Sequence, residues 1–181
     1  ALSMTNLVNN TGVVASDVTG VGTQRRMLAA VRYGVGLAIF AYGIPGSGRT
    51  AVSNLVSNTG VVALDVAGVG TARSSLAATA YGGDKAIFGY GESAGSTLAT
   101  TNKVSNTGVV ASDVSGVGTV RYSLAGTDFG GDKGLFFGGV PGTVSISNLV
   151  SNTGVVAADT AGAGGVTGKS LLAGAGYSYS A

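Results

Sequence analysis

The stretch RSSLAATAYGGDKAIFGYG, residues 73–91, decides the fold of this chain. Two short apolar and aromatic runs flank a Gly83-Asp84-Lys85 turn. The second run, Ala86-Ile87-Phe88, is continuously apolar, as a strand packed on both faces is. The first run has one helix-compatible copy, residues 25–33. Thr79 interrupts the copy at 73–82, and Gly126 and Thr127 interrupt the one after it. Runs of five to eight residues rich in Val, Ile, Phe and Tyr, bounded by Gly, Asn and Asp, predict strands.

Working outward, the pattern recurs along the whole chain. A third run passes through Val52-Ser53-Asn54-Leu55-Val56, and a Ser-Asn-Thr-Gly turn leads to a fourth, Val61 to Val66. Thr-Gly-Val-Val starts at 11, 59, 107 and 153, so the spacing is 48, 48 and then 46 residues. An Asp follows each time, at Asp17, Asp65, Asp113 and Asp159. Gly-Val-Gly-Thr comes next at 20–23, 68–71 and 116–119, and becomes Gly-Ala-Gly-Gly at 162–165. Tyr33-Gly34, Tyr81-Gly82 and Phe129-Gly130 close the first run of each copy, with Tyr177-Ser178 as the last. An insertion near Gly164-Gly165 restores the register, which aligns Lys169 with Arg25, Arg73 and Arg121.

Composition narrows the chemistry. Glycine makes up 33 of 181 residues, well above the roughly 7% of ordinary chains. There is no His, no Cys and no Trp. That excludes disulfides, thiolate metal sites, a thiol nucleophile and any imidazole base or ligand. No unique acidic cluster stands in their place, so the expectation is a protein that is not an enzyme and needs no cofactor or metal. The hydrophobic fraction of 45% argues against disorder. The longest uncharged apolar run, Val35 to Pro45, is about half of the ~20 residues a spanning helix needs, so no membrane span is expected. The opening residues carry no basic or apolar leader pattern. A net charge of +2 is too small to predict a nucleic-acid partner.

Four strands per repeat of 40–50 residues, joined by tight turns, is the sequence pattern of a propeller blade. The expectation is an all-β chain: a β-propeller of ~48-residue four-stranded blades, about four of them with one incomplete. Glycines such as Gly89 and Gly91, with Ala86, leave room where blades stack closely. A β-solenoid is the alternative, but its coils are shorter, near 20–30 residues. The chain divides as one repeat domain, 1–181, with a partial repeat 1–24, full repeats 25–72, 73–120 and 121–168, and a partial repeat 169–181.

The wording of these runs resembles kelch repeats, which implies a kelch-like β-propeller. Arg73 and Arg121 stand where that family's first strand begins, and Ile87-Phe88-Gly89-Tyr90-Gly91 and Leu135-Phe136-Phe137-Gly138-Gly139 match its second. The fourth strand departs, with Thr-Gly-Val-Val where kelch repeats carry Trp. The phrases Asn-Thr-Gly-Val-Val and Gly-Gly-Asp-Lys-Ala-Ile-Phe-Gly-Tyr-Gly are more similar to kelch-like repeats of tailed-bacteriophage virion proteins, notably marine ones. That resemblance implies a non-enzymatic structural or interaction module, a tail or fibre-associated virion appendage, located in the virion or outside the cell. It implies partners among other virion proteins or neighbouring subunits, joined through unpaired blade strands, and host-surface glycan as a further contact. A carbohydrate-binding, lectin-like propeller is the alternative function.

Several motifs have competing readings. Gly43 to Thr50 has P-loop spacing with Arg49 in place of Lys, but the next segment reads as a strand where a P-loop needs a helix. The recurring Asp residues suit a cap on the Gly-rich turn better than lone calcium ligands. Asp84 and Asp132 read as turn residues beside Lys85 and Lys133. Arg25, Arg73, Arg121 and Lys169 would form a basic ring on one face, or else bond loop carbonyls within their blades. The loops after the second strand differ between copies, and binding concentrates in variable loops on a repeated frame. Arg49 and Glu92 are candidates there. Tyr33, Tyr42, Tyr81, Tyr90 and Tyr122 read as core or as sugar-stacking platforms.

Overall fold

The computed structural model describes residues 2–162 and 168–176. The Gly164-Gly165 insertion and the Tyr177-Ser178 match lie outside the described residues. Within them, the chain is all-β, built of several small antiparallel sheets with no helix.

Each full repeat begins with the hairpin expected at 73–91. The pairs are β1 (Ala29–Tyr33) with β2 (Leu37–Ala41), β4 (Ala77–Tyr81) with β5 (Lys85–Gly89), and β9 (Ala125–Phe129) with β10 (Lys133–Phe137). Tyr33 faces Leu37, Tyr81 faces Lys85 and Phe129 faces Lys133 across three-residue loops. Two glycines with positive φ in each loop, such as Gly82 at 61° and Gly83 at 80°, give the strands the twist that such short loops require. The third runs become β3 (Ser53–Val56), β8 (Thr101–Val104) and β11 (Ser147–Val150), each antiparallel to the second strand of its repeat. In the second repeat the connecting loop holds a small hairpin of β6 (Glu92–Ser93) and β7 (Ser96–Thr97).

The fourth run is weaker than the sequence suggests. It meets the third strand only at isolated bridges, Val56 to Val62 and Ser53 to Val66 in the first repeat, with equivalents in the other two. Val61, just before the first bridge, and Leu64, between the two, are exposed. The outermost strand has a partner on one side only, so it lacks a second layer to hold it straight. Residues 5–18 repeat this outer pair, with Thr5 bridging Val18 and Val8 bridging Val14.

The repeats stack through their hairpins, with β4 lying between β1 and β9. Backbone bonds stitch them in register. Ser75 N–H donates to the Met27 carbonyl, Ser123 to Ser75 and Leu171 to Ser123. The core forms two layers between repeats. Tyr42, Ala86, Phe88 and Val104 fill the first, and Tyr90, Ile87, Phe136 and Val150 the second. Gly89 is a close-packing glycine as expected, since a Cβ there would lie 2.8 Å from the Phe136 ring. The segment Gly43 to Thr50 runs from β2 into β3 with no helix after it, so the P-loop geometry is not formed.

Candidate functional site

The residues that recur most strictly meet at the junctions between repeats. β2 and β5 are each followed by Tyr-Gly, Tyr42-Gly43 and Tyr90-Gly91. Tyr42 and Tyr90 hold φ of 66° and 64°, and Gly43 and Gly91 follow at about 100°. This double reversal turns each tyrosine into the next repeat. The Arg73 guanidinium lies 4.1 Å from the Tyr42 ring centroid, and Arg121 lies 4.2 Å from that of Tyr90. Phe88 and Phe136 meet the same rings edge-on at 5.4 and 5.3 Å. The tyrosine hydroxyls donate to the carbonyls of Val69 and Val117, at 3.2 and 3.1 Å. Each tyrosine therefore sits in a seat made of one valine carbonyl, one arginine and one phenylalanine. Burial pushes the Tyr42 phenol up, with Arg73 opposing, and pushes Tyr90 up to about 12, with Arg121 opposing.

A second joint lies beside the first. The Asp113 carboxylate accepts from the Thr71 N–H and hydroxyl of the preceding repeat and from Asn102 of its own. Asp65 does the same with Thr23 and Asn54, and Asp159 with Thr119 and Asn148. Burial alone would raise these carboxyls; the donors and the nearby arginines outweigh it and hold all three below the usual carboxylate range. The aspartates therefore cap the Gly-rich turn, as their spacing suggests, but the turn belongs to the preceding repeat.

Arg25, Arg73 and Arg121 are buried, so a basic ring open to a ligand does not form from them. Arg73 donates to the carbonyls of Tyr90 and Thr71, and Arg121 to the carbonyl of Thr119 and to Asn148. Arg25 donates to Asn54 and lies 3.7 Å from Asp65. Burial lowers the pKa of all three, with Asp65, Tyr42 and Tyr90 the leading opposing groups in turn. Lys169 keeps the arginine's backbone place, since Gly139 N–H donates to its carbonyl as Gly43 does to Arg73 and Gly91 to Arg121. Its side chain is exposed. The preceding tyrosine position is Gly138, so no ring is there to hold a guanidinium. That joint loss of Tyr and Arg at one junction between repeats is the signal in the sequence that pairs the two positions. The asparagines and valine carbonyls of the joints were not singled out by the sequence.

The other two candidates do come together. Arg49 and Glu92, from the loops after β2 and β5, pair at 3.0 Å, with Ser74 bonded to both. This cluster is half-buried and bridges two variable loops. Asp84 and Asp132 pair with Lys85 and Lys133 in the hairpin turns. Tyr33, Tyr42, Tyr81 and Tyr90 are core residues with no face open to a sugar. Among the described residues no group of His, Cys, Asp or Glu is arranged to hold a metal ion, and no helix is long and apolar enough to cross a membrane.

No protein-family model and no curated protein matches the chain. Among solved structures, that of YjhT aligns with a TM-score of 0.66 at 14% identity, covering 87% of this chain and 51% of YjhT. The chain thus shares its fold with about half the length of that protein.

Proposed function

We propose that the chain is a non-enzymatic structural and interaction module: a kelch-like β-propeller of about four blades with one incomplete. We place it in a tail or fibre-associated appendage of a bacteriophage virion, presenting its variable loops to neighbouring subunits or to the host. One observation carries the interaction reading. Arg73, Arg121, Asp65, Asp113 and Asp159 are engaged in joints between repeats, which leaves display to the loops that differ, where Arg49 and Glu92 meet. The propeller reading is supported by an open cavity of about 290 Å³ lined by the same two positions of four successive repeats, Met27-Leu28 through Leu171-Leu172. Arg32 and Asp128, two repeats apart, also pair with each other, as inner strands around one axis would. The virion placement rests on the wording of the repeats alone.

Gold-labelled antibody against the chain, applied to particles of the virus that encodes it, should decorate an appendage. Particles without label would overturn the virion placement. A glycan array separates the lectin alternative. Binding to no sugar class is expected here, because the buried tyrosines offer no stacking surface. Saturable binding to one class would replace the interaction reading with the lectin one.

A further inference from the structure

The recurring joints cannot tell one repeat from another. Tyr42 sits against Arg73 and Phe88 and donates to the Val69 carbonyl; Arg121, Phe136 and the Val117 carbonyl form the same seat one repeat on. The Asp113 and Asp159 joints are equally alike. A chain in which 25–72 stacked directly on 121–168, with 73–120 looped out, would still seat Tyr42 and cap the 68–71 turn. Loop entropy opposes such a skip only weakly, because it grows slowly with loop length.

Two sets of contacts do differ between junctions. Arg49 pairs with Glu92 at 3.0 Å and donates to Ser74, with the two charged side chains only 25% and 28% exposed. Backbone bonds from Thr50 to Gly43, Leu98 to Gly91 and Val144 to Gly139 align these loops. At the next junction the equivalents of Arg49, Ser74 and Glu92 are Thr97, Tyr122 and Val140, which carry no charge. The second set lies in the inner strands, where residues that interrupt the repeat wording meet. Thr79 is buried, and its hydroxyl donates to the Thr127 carbonyl at 2.6 Å. Gly134 makes room for it, since a Cβ there would lie 2.5 Å from Thr79 Cγ2. Gly126 lets β9 close on β4, since a Cβ there would run into the Ala78 carbonyl oxygen. One period earlier the positions of Thr79, Gly134 and Gly126 hold Val31, Ala86 and Ala78.

We propose that these contacts fix the order in which the repeats stack. Arg49 with Glu92 marks the junction of 25–72 with 73–120, and Thr79 with Gly134 marks that of 73–120 with 121–168. In the skipped arrangement Arg49 would face Tyr122 and Val140, leaving a half-buried cation without its carboxylate. Val31 would stand where Thr79 does, and the Thr127 carbonyl would lose its donor. A repeat borrowed out of turn is excluded too: Thr79 of one copy, set against 73–120 of another, would meet the Ala86 methyl where Gly134 leaves space. The inference concerns how the stack assembles, so its failure would leave the display reading as it stands.

The chain has no cysteine, so an introduced thiol pair reports the arrangement. Ser75 N–H donates to the Met27 carbonyl and Ser123 N–H to that of Ser75, so positions 27 and 123 are two rungs apart in the native stack and neighbours in the skipped one. Two rungs, about 10 Å, exceed the ~7 Å that a disulfide spans between Cα atoms. The full chain carrying Met27→Cys and Ser123→Cys is refolded from urea under oxidising conditions, and its intrachain cross-link is read on a non-reducing gel. Little cross-link is expected. Arg49→Thr with Glu92→Val, which writes the second junction's residues into the first, should raise the cross-linked fraction roughly three- to fivefold, and so should Thr79→Val. Tyr122→Ser with Val140→Glu keeps both native marks and offers Arg49 a carboxylate in the skipped stack, so it should raise the fraction as well. General loosening of the fold would not respond to that last change, which separates order from stability. Extensive cross-linking of the parent pair, an unchanged fraction in the variants of either mark, or no rise with Tyr122→Ser and Val140→Glu would overturn the proposal.

Discussion

Asp113 illustrates how the recurring charges work at the residue scale. Its carboxylate joins two repeats through Thr71 and Asn102, and its pKa is held below the ordinary 3.8. A group whose pKa is depressed by folding stabilises the fold above its unfolded pKa, and that contribution is lost as pH falls through the folded value. Asp65 and Asp159 share the same shift. The urea midpoint should therefore be flat near neutral pH and decline below about pH 4. Asp113→Asn should cost about 1 kcal/mol at pH 7, because a charge-assisted acceptor becomes a neutral one, and should make the acid decline shallower. An unchanged acid profile in that variant would remove the joint's role. The aspartate spacing was legible in sequence. Its partner was not, because Thr71 and Asp113 are 42 positions apart and no local pattern links them.

At the scale of elements, the hairpins were the most legible part. Apolar runs and paired glycines specify them locally, and each hairpin forms where the residues place it. The fourth run was over-read as a full strand, since Val-rich composition does not reveal that a strand has a neighbour on one side only. The small β6–β7 hairpin was read only as a variable loop. Glycine positions set how closely elements approach. Gly70 has φ of 77°, and a Cβ there would lie 2.3 Å from Asp113 Oδ1. Gly70→Ala should therefore cost about 1–3 kcal/mol in urea unfolding, through backbone strain and displacement of the carboxylate. Gly89→Ala, facing the Phe136 ring, should cost a similar amount by overpacking. Wild-type stability in both variants would mean the repeats are further apart than described.

The described chain is a stack of repeats in which 25–72 and 73–120 each contribute a tyrosine to the next, and receive in return a carboxylate for their Gly-rich turns. Long-range pairs add less. Arg32 and Asp128 are half-exposed and one-third exposed at the side chain, so Arg32→Ala should lower stability by under about 1 kcal/mol. A larger loss by thermal or urea unfolding would mean that the pair across the axis, rather than the joints, sets the arrangement. The unit length was readable from the sequence, because each unit is written nearly alike, and the hairpins begin 48 residues apart at Ala29, Ala77 and Ala125. The arginine's place was the hardest to read, since a charge recurring once per repeat fits a displayed ring as well as a buried joint until the ring beneath it is known. A double-mutant cycle between repeats reads this directly, with Tyr42→Leu, Arg73→Met and the double variant compared by urea unfolding. A coupling of about 1–2 kcal/mol is predicted for a desolvated guanidinium on a phenol ring. Additive losses would contradict the account and return Arg73 to the surface.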